Sequence, residues 1–452
     1  MERRQVILAL LLIVSISSGV IYGVHPLNIN DRPNIVIISF EPVRADHFGV
    51  YGYHRNTTPN IDRLAQNSTV FYNSFSQAPH TTISLMSTFT SLYPSQHKVT
   101  TDKSGSRGFS DDFSTMPEVL HAAGYTTQGV VGGLNVGPGL GFKRGFDSYR
   151  LGDISLALNT LNNYERDGSP LFLFYQSFGT HRPYATIEEQ RLFRDGNRTY
   201  REYKKFIDNI ESYQARLENK YNASNRDAKI SRMVYNRTVE MLKSNKTLEK
   251  GAINQYDRGL RSNDRKVGRI VNWLKKKDMY DNTIIIVMSQ HGTLLGQHDL
   301  WGHQHLYTGE IRTPLIIHVP DMDQQKNVTA YVKNLDIAPT VMSLAGIRNS
   351  SFSKQAEGVS LVPAMKGKDF KEKWIAANNF NDFQFIDPES KLAFRRSDGD
   401  INVYNLSDDP YELHPLNSTD SADILFRKFK EFKDSTTNQP NMTAVYPYYS
   451  RR

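Results

Sequence analysis

The chain has 452 residues, of which 38% are hydrophobic, and carries a formal charge of +8 at pH 7. Such a length can bury a large core, most simply as one big domain with a small one beside it. The absence of cysteine excludes disulfides, and in an exported chain without a nucleic-acid recognition module the positive charge does not point to nucleic acid.

Glu2-Arg3-Arg4 precedes Val6–Tyr22, an almost unbroken apolar run without a charge. A basic flank before such a run is the pattern of a secretory signal or a signal anchor, and at ~17 residues it is near the lower limit for a spanning helix. No clean cleavage site follows, so an uncleaved membrane anchor within residues 1–28 is favoured over a removed signal peptide. With either, the rest of the chain lies outside, membrane-anchored or secreted. Eleven Asn-X-Ser/Thr sequons between Asn56 and Asn441 agree with export and suggest a glycoprotein.

Ile35–Ser39 is a short β-branched run, as expected of a strand buried on both faces of a parallel sheet. Glu41 stands just past its carboxyl end, and Pro42 stops the strand. Open α/β sheets bind their ligands at such ends, so Glu41 is a candidate site residue, although a loop carboxylate is ordinarily solvated. Thr58-Pro59-Asn60 turns into a helix, Val70–Ser74 is the next strand, and Gln77-Ala78-Pro79 breaks it. Thr81–Thr90 reads as a helix entered through hydroxyl residues. Thr81 or Thr82 is its N-cap; alternatively the hydroxyl is a nucleophile, placed where helix N–H groups favour phosphate or sulfate.

Met116–Ala123 is a helix closed by Gly124, Thr126–Val131 a strand, and Gly132–Gly145 a glycine-rich loop over an edge of the site. Leu171–Gln176 is another buried strand, with His181 beyond its carboxyl end. From Arg182 to Lys277 there are 24 Lys/Arg against 12 Asp/Glu. This stretch is either a solvated helical insertion or a cationic rim attracting anionic glycans or phospholipid head groups. Thr283–Met288 is a third buried strand and leads into Ser289-Gln290-His291-Gly292. His291, His298, His303 and His305 could be metal or anion ligands, though none forms the i, i+4 pair of zinc proteases. Leu315–Val319 is a strand and Asp336–Ala345 a helix closed by Gly346. Beyond about residue 365, strands at Lys391–Arg396 and Ile401–Leu406 flank an Asp398-Gly399-Asp400 turn, and Ser421–Lys433 is a helix.

Taken together, these residues resemble the sulfatase family of the alkaline-phosphatase superfamily, from about Pro33 to Leu406. The resemblance is carried by Arg44-Ala45-Asp46-His47-Phe48-Gly49, Thr58-Pro59-Asn60-Ile61-Asp62-Arg63-Leu64, Leu92-Tyr93-Pro94-Ser95-Gln96-His97, Gly145-Phe146-Asp147, Tyr280-Asp281-Asn282-Thr283 and Asp336-Ile337-Ala338-Pro339-Thr340. It implies an α/β fold, a largely parallel sheet flanked by helices over residues 32–365. Within it a basic helical insertion spans 185–277, and a small C-terminal α+β subdomain follows at 366–452. It also implies one divalent metal ion, usually calcium, with magnesium or manganese as other choices. Glu41, Thr81, Gln290 and His291 fall at the ligand positions, Thr81 also at the nucleophile, His181 at a histidine contacting the ester, and His303 near the leaving group.

The chain departs from the family pattern at several of these positions. Glu41 stands for the usual Asp. In the Cys/Ser-x-Pro-Ser-Arg motif, Thr81 replaces Cys or Ser, Ile83 the Pro and Leu85 the Arg, while Ser84 is kept and Ser91 occupies a Gly position. Gln290 stands for Asp, which removes a carboxylate from a site meant for a hard cation. Threonine cannot be converted to formylglycine, so none is expected, and Thr81 suits phosphoryl transfer better than sulfate hydrolysis. The implied function is a metal-dependent hydrolase or transferase acting on sulfate or phosphate esters of surface glycans or lipids. The alternative is a non-catalytic protein of the same fold that binds glycans or belongs to the cell envelope.

Overall fold

All seven residues of β1, Asn34–Phe40, are buried. Its alternation feeds two cores at once: Ile35 and Ile37 enter one hydrophobic cluster, Val36, Ile38 and Phe40 the other. In the computed structural model the described residues are 32–437, apart from 100, 103–104, 107–109, 166–167, 182–191, 194–195, 223–227, 323–324, 380–381, 398–399 and 417–418. The apolar segment expected within residues 1–28 and the Asp398-Gly399 turn therefore lie outside the described residues. Among those described, no helix is long and apolar enough to cross a membrane.

β1 lies inside an eight-stranded sheet with β2 (Thr69–Phe75), β3 (Thr126–Val131), β4 (Ser148–Leu151), β5 (Leu171–Ser177), β6 (Thr283–Ser289), β7 (Arg312–His318) and β8 (Lys326–Lys333), in the order β8-β2-β7-β6-β1-β5-β3-β4. Only β7 runs against the others, pairing antiparallel with both β2 and β6. On one face pack α2 (Thr81–Thr90), α3 (Met116–Ala122) and α8 (Ile337–Leu344), which contribute Leu85, Met86, Phe89, Val119, Leu120, Ile337 and Val341. On the other pack α1 (Pro59–Ala65), α4 (Ile154–Asn162) and the second half of α7 (Lys246–Lys276), through Ile61, Leu64, Ile154, Leu161, Leu260, Val267 and Ile270. Burying each such Ile, Leu, Val or Phe is worth about 1.5–3 kcal/mol. That surplus lets the end of the sheet hold polar groups away from water.

The basic stretch forms α5 (Gly196–Tyr221), α6 (Ala228–Ser244) and the first half of α7. These helices share a separate core of Tyr203, Phe206, Ile210, Leu242, Leu248 and Ala252. Four further strands make an antiparallel sheet in sequence order: β9 (Ile375–Asn379), β10 (Asp382–Asp387), β11 (Leu392–Ser397) and β12 (Asp400–Asn405). α9 (Thr419–Thr437) covers one face of it with Leu425, Phe429 and Phe432. At the near edge, the Asn378 N–H donates to the carbonyl of Gln77 at 3.0 Å, and Asn379 Nδ2 donates to the carbonyl of Gln304 at 2.7 Å.

Candidate active site

Strand register brings the candidate residues to one place. Phe40 pairs with Ser177 of β5 on one side and Ser289 of β6 on the other. Glu41, Phe178 and Gln290 therefore leave the sheet at a single level, at its carboxyl end. The loop after β1 is pinned there, because the Val43 N–H donates to Ser289 Oγ at 3.1 Å and to the His291 carbonyl at 2.9 Å.

α2 points its first turn at the same spot. Its N-cap residue is His80, in extended conformation (φ −133°, ψ 133°) and with no side-chain cap bond. The expectation that Thr81 or Thr82 caps the helix is thus corrected: both lie inside the first turn, with their hydroxyls used elsewhere. Thr82 Oγ1 donates to the Asn135 carbonyl at 2.6 Å. Thr81 Oγ1 donates to Glu41 Oε1 and lies 3.0 Å from His291 Nε2.

The protonation of this group follows from its partners. His291 Nδ1 is 2.9 Å from the Gly292 carbonyl, which can only accept, so Nδ1 carries the hydrogen and Nε2 presents a lone pair. Glu41 accepts a further bond from Gln176 Nε2 at 2.7 Å and one from the Asn135 side chain. Burial nevertheless pushes the Glu41 carboxyl up to about 7. Burial pushes the His291 imidazole down to about 3 and that of His80 down to about 4, so both rings are uncharged at neutral pH.

A cluster of imidazoles covers the threonine. The His303 ring centroid lies 4.3 Å from that of His291, 5.5 Å from His181 and 6.0 Å from His80. His303 Nδ1 donates to the Pro79 carbonyl at 3.0 Å, and His181 stacks on Phe178 with centroids 4.7 Å apart. Glu41, Thr81 and His291 are thus in direct contact, with His303 and His181 in a second row. Gln176, Asn135 and His80 were not foreseen. Gln176 carries the same signal that marks Glu41, a polar residue at the carboxyl end of a buried strand, and His80 adjoins the candidate nucleophile. Nothing local marks Asn135.

These side chains fit a cation. Gln290 is fully buried, and neither atom of its amide has a partner. The single hydrogen of the Thr81 hydroxyl cannot serve both Glu41 and the bare Nε2 of His291, so lone pairs outnumber hydrogens where the three meet. A divalent ion there would satisfy Glu41, Thr81 and His291 together, with Gln290 as a fourth donor. The set is sparse in charge, since Glu41 is its one carboxylate, and among the described residues no three His, Cys, Asp or Glu converge as a metal cluster.

Other candidates turn away. Of the four histidines between 291 and 305, His298 and His305 leave the site. His298 donates to the Tyr411 carbonyl at 2.7 Å and stacks on Tyr307, while His305 lies 3.6 Å from the buried Glu310. Leu85, where the family resemblance calls for Arg, is fully buried in the sheet's core. Ser84 Oγ donates to the Gln290 carbonyl at 2.5 Å and so ties α2 to the end of β6. His47 and Arg55 bind the buried Asp257 of α7, each at 2.7 Å, so the opening motif anchors the helical insertion.

Comparison with known proteins gives concordant matches. The family model described as Sulfatase matches residues 33–347, and one described as N-sulphoglucosamine sulphohydrolase, C-terminal, matches 296–438. A choline-sulfatase of Rhizobium meliloti is 29% identical over 40% of this chain and 36% of its own length. An N-acetylgalactosamine-6-sulfatase of Canis lupus familiaris is 24% identical over 76% of this chain and 68% of its own. A solved structure described as bound to its substrate D-glucosamine-2-N,6-O-disulfate superposes with a TM-score of 0.69 at 20% identity, covering 91% of this chain and all of that one. The second of these family models spans the small antiparallel sheet.

Proposed function

The chain belongs to the sulfatase family, and from that premise we propose that it is an ester hydrolase or transferase in which Thr81 attacks a sulfate or phosphate ester of a glycan or lipid. The observation that carries this reading is the Thr81 hydroxyl, set in the first turn of a buried ten-residue helix between Glu41 and His291. The N-acetylgalactosamine-6-sulfatase named above, and the neighbour bound to a sulfated glucosamine, support an anionic glycan as substrate.

In this reading Thr81 Oγ1 forms a bond to phosphorus or sulfur, and its proton passes along the existing hydrogen bond to Glu41. The bond from the central atom to the glycan oxygen breaks, and that oxygen takes a proton from water. Water then displaces Thr81, whose oxygen takes back the proton held by Glu41, and the attacking water's proton neutralises the hydroxide left by the first step. His181 and His303 face the ester, and the first-turn N–H groups of α2 steady its developing negative charge. A divalent metal ion held by Glu41, Thr81, Gln290 and His291 would supply charge neutralisation of the attacking oxygen. Calcium is the ion that the family resemblance suggests.

A second reading, a non-catalytic glycan-binding or envelope protein, is favoured by one specific observation: Leu85 fills the core where the family resemblance places an Arg. The test is intact-protein mass spectrometry during incubation with a phosphodiester and, separately, with a sulfated oligosaccharide. A transient adduct on the peptide containing Thr81 supports the first reading; no adduct and no product with either substrate sinks it. The charge-free Val6–Tyr22 run supports display of the protein from a membrane. Recovery of a soluble form that begins near residue 25 would contradict that.

A further inference from the structure

Phe178, the residue after β5, is 37% exposed. Among the described residues it is one of two aromatics left this open to water; the other, Tyr221, lies on the helical insertion under Lys220 and Lys229. Isolated exposed apolar residues are ordinary, but Phe178 stands at the site. Two routes of contact lead from its ring toward Thr81. His181 stacks on it, with ring centroids 4.7 Å and planes 12° apart; His303 lies 5.5 Å beyond His181 and 4.3 Å from His291. On the other route, a side chain at Gly133 would place its Cβ 3.2 Å from Phe178 Cδ2 and 3.8 Å from Glu41 Oε2.

The absence of side chains at Gly132 and Gly133 is what lets the loop after β3 run so close to this ring. A Cβ at Gly132 would come within 3.2 Å of Phe178 Cβ and 3.3 Å of the Gln176 carbonyl, tighter than ordinary packing. The Gly132 N–H donates to that same carbonyl at 3.1 Å, which fastens the loop to the end of β5. The ring is thus fixed between bare backbone and an imidazole, at the end of a buried strand. A rigid apolar surface beside a few convergent polar groups is how ligand sites bind and orient their occupants.

Such a ring has little to offer the charged half of an ester, which the polar groups around Thr81 can serve. Its use lies with the alcohol half. A pyranose presents a rigid face of C–H bonds that can lie against an aromatic ring. A glycerol-type head group or an open-chain polyol has no fixed face, and must freeze several torsions to make one. We propose that Phe178 is a specificity-determining residue whose ring, braced by His181 and the Gly132–Gly133 backbone, receives the C–H face of a cyclic sugar; this rests on the ester reading of the site and chooses a glycan over a lipid head group.

The test is calorimetric binding to full-length Thr81→Ala, which leaves the esters unconverted. The probes are a matched pair, methyl glucoside 6-sulfate as the ring and sorbitol 6-sulfate as the open chain, with the corresponding phosphates alongside. The expected result is about tenfold tighter binding of the ring form. Phe178→Ala and Phe178→Leu should remove that advantage and Phe178→Trp should keep it, with near-ultraviolet circular dichroism confirming that each variant folds. Equal affinity for ring and chain, or an advantage untouched in folded Phe178→Ala, overturns the proposal. An equal loss on both forms overturns it too, because Phe178 would then act only through His181. Binding of neither form overturns the ester reading and ring recognition together. Wild-type turnover of the same pair is measured separately: its absence counts against attack by Thr81 and leaves a ring preference in binding standing.

Discussion

The Nε2 atom of His291 and the hydroxyl oxygen of Thr81 sit 3.0 Å apart although more than two hundred residues separate them in sequence. The pairing makes Thr81 distinguishable from its neighbour. Thr82 is also buried and also in the first turn, but its hydroxyl is spent on the Asn135 carbonyl.

Thr81→Ala is therefore expected to abolish ester turnover, while Thr82→Ala retains it. Because neither residue is the N-cap, each loss should reflect one hydrogen bond, about 0.5–1.5 kcal/mol of stability. Steady-state rates on a phosphodiester and a sulfate monoester, with denaturant midpoints for both variants, check this. Turnover that survives in Thr81→Ala but vanishes in Thr82→Ala reverses the assignment.

Gln290→Asp should tighten divalent-ion binding and make stability depend on it. A carboxylate at a fully buried position beside Glu41 is repelled unless a cation joins them, and an unpaired buried charge costs several kcal/mol. The expected outcome is a variant that melts earlier than the wild type in chelator and recovers when a divalent ion is added. Calorimetry that shows unchanged affinity would remove Gln290 from the ligand set.

Glu412 should make stability pH-dependent. Its Oε2 accepts the Thr308 N–H at 2.7 Å and its Oε1 accepts the Gln384 amide, with Arg395 and Asp409 facing it. Burial pushes this carboxyl from 4.5 up to about 8. The folded protein therefore keeps a proton that the unfolded chain has lost, and stability falls as pH rises through that interval. Relative to Glu412→Gln, the wild type should lose melting temperature between about pH 5 and 8 and change little above it. Parallel curves for the two proteins would exclude Glu412 as the cause.

Phe89 on α2 tests how firmly the helix that carries Thr81 is seated. It is 1% exposed and meets the rings of Phe142, Phe146 and Phe174 at 6.3, 6.2 and 5.0 Å. Phe89→Ala should cost about 3–5 kcal/mol, as aromatic-to-alanine cavities do. Val359→Ala, at a position 48% exposed, should stay within about 0.5 kcal/mol. Urea denaturation midpoints of the two variants make the comparison.

Three central strands were legible because burial on both faces demands continuous apolar runs, as in Ile35–Ser39, Leu171–Tyr175 and Thr283–Met288. β8 was not, since Lys326–Lys333 lies at the sheet's edge and its alternating, half-exposed residues resemble a loop. Ser148–Leu151, the opposite edge, failed in the same way. The positions of Glu41 and His291 could be read from strand ends, whereas the contacts of Gln176 and Asn135 with Glu41 depend on register and on a loop's path. The fate of the histidines was equally hidden. His298 adopts a left-handed backbone, φ 56°, which turns its ring toward Tyr411.

The bonds from Asn378 to Gln77 and from Asn379 to Gln304 have a consequence for how the protein comes into being. A ribosome delivers Glu41 and Thr81 early, yet the loops on either side of the threonine gain these braces only after β9 has been synthesised. Until then the nascent chain holds the Thr81 hydroxyl in an unfinished frame, and long-range contacts of this kind close slowly. The surroundings of Thr81 are thereby completed only when most of the polypeptide has left the translation machinery.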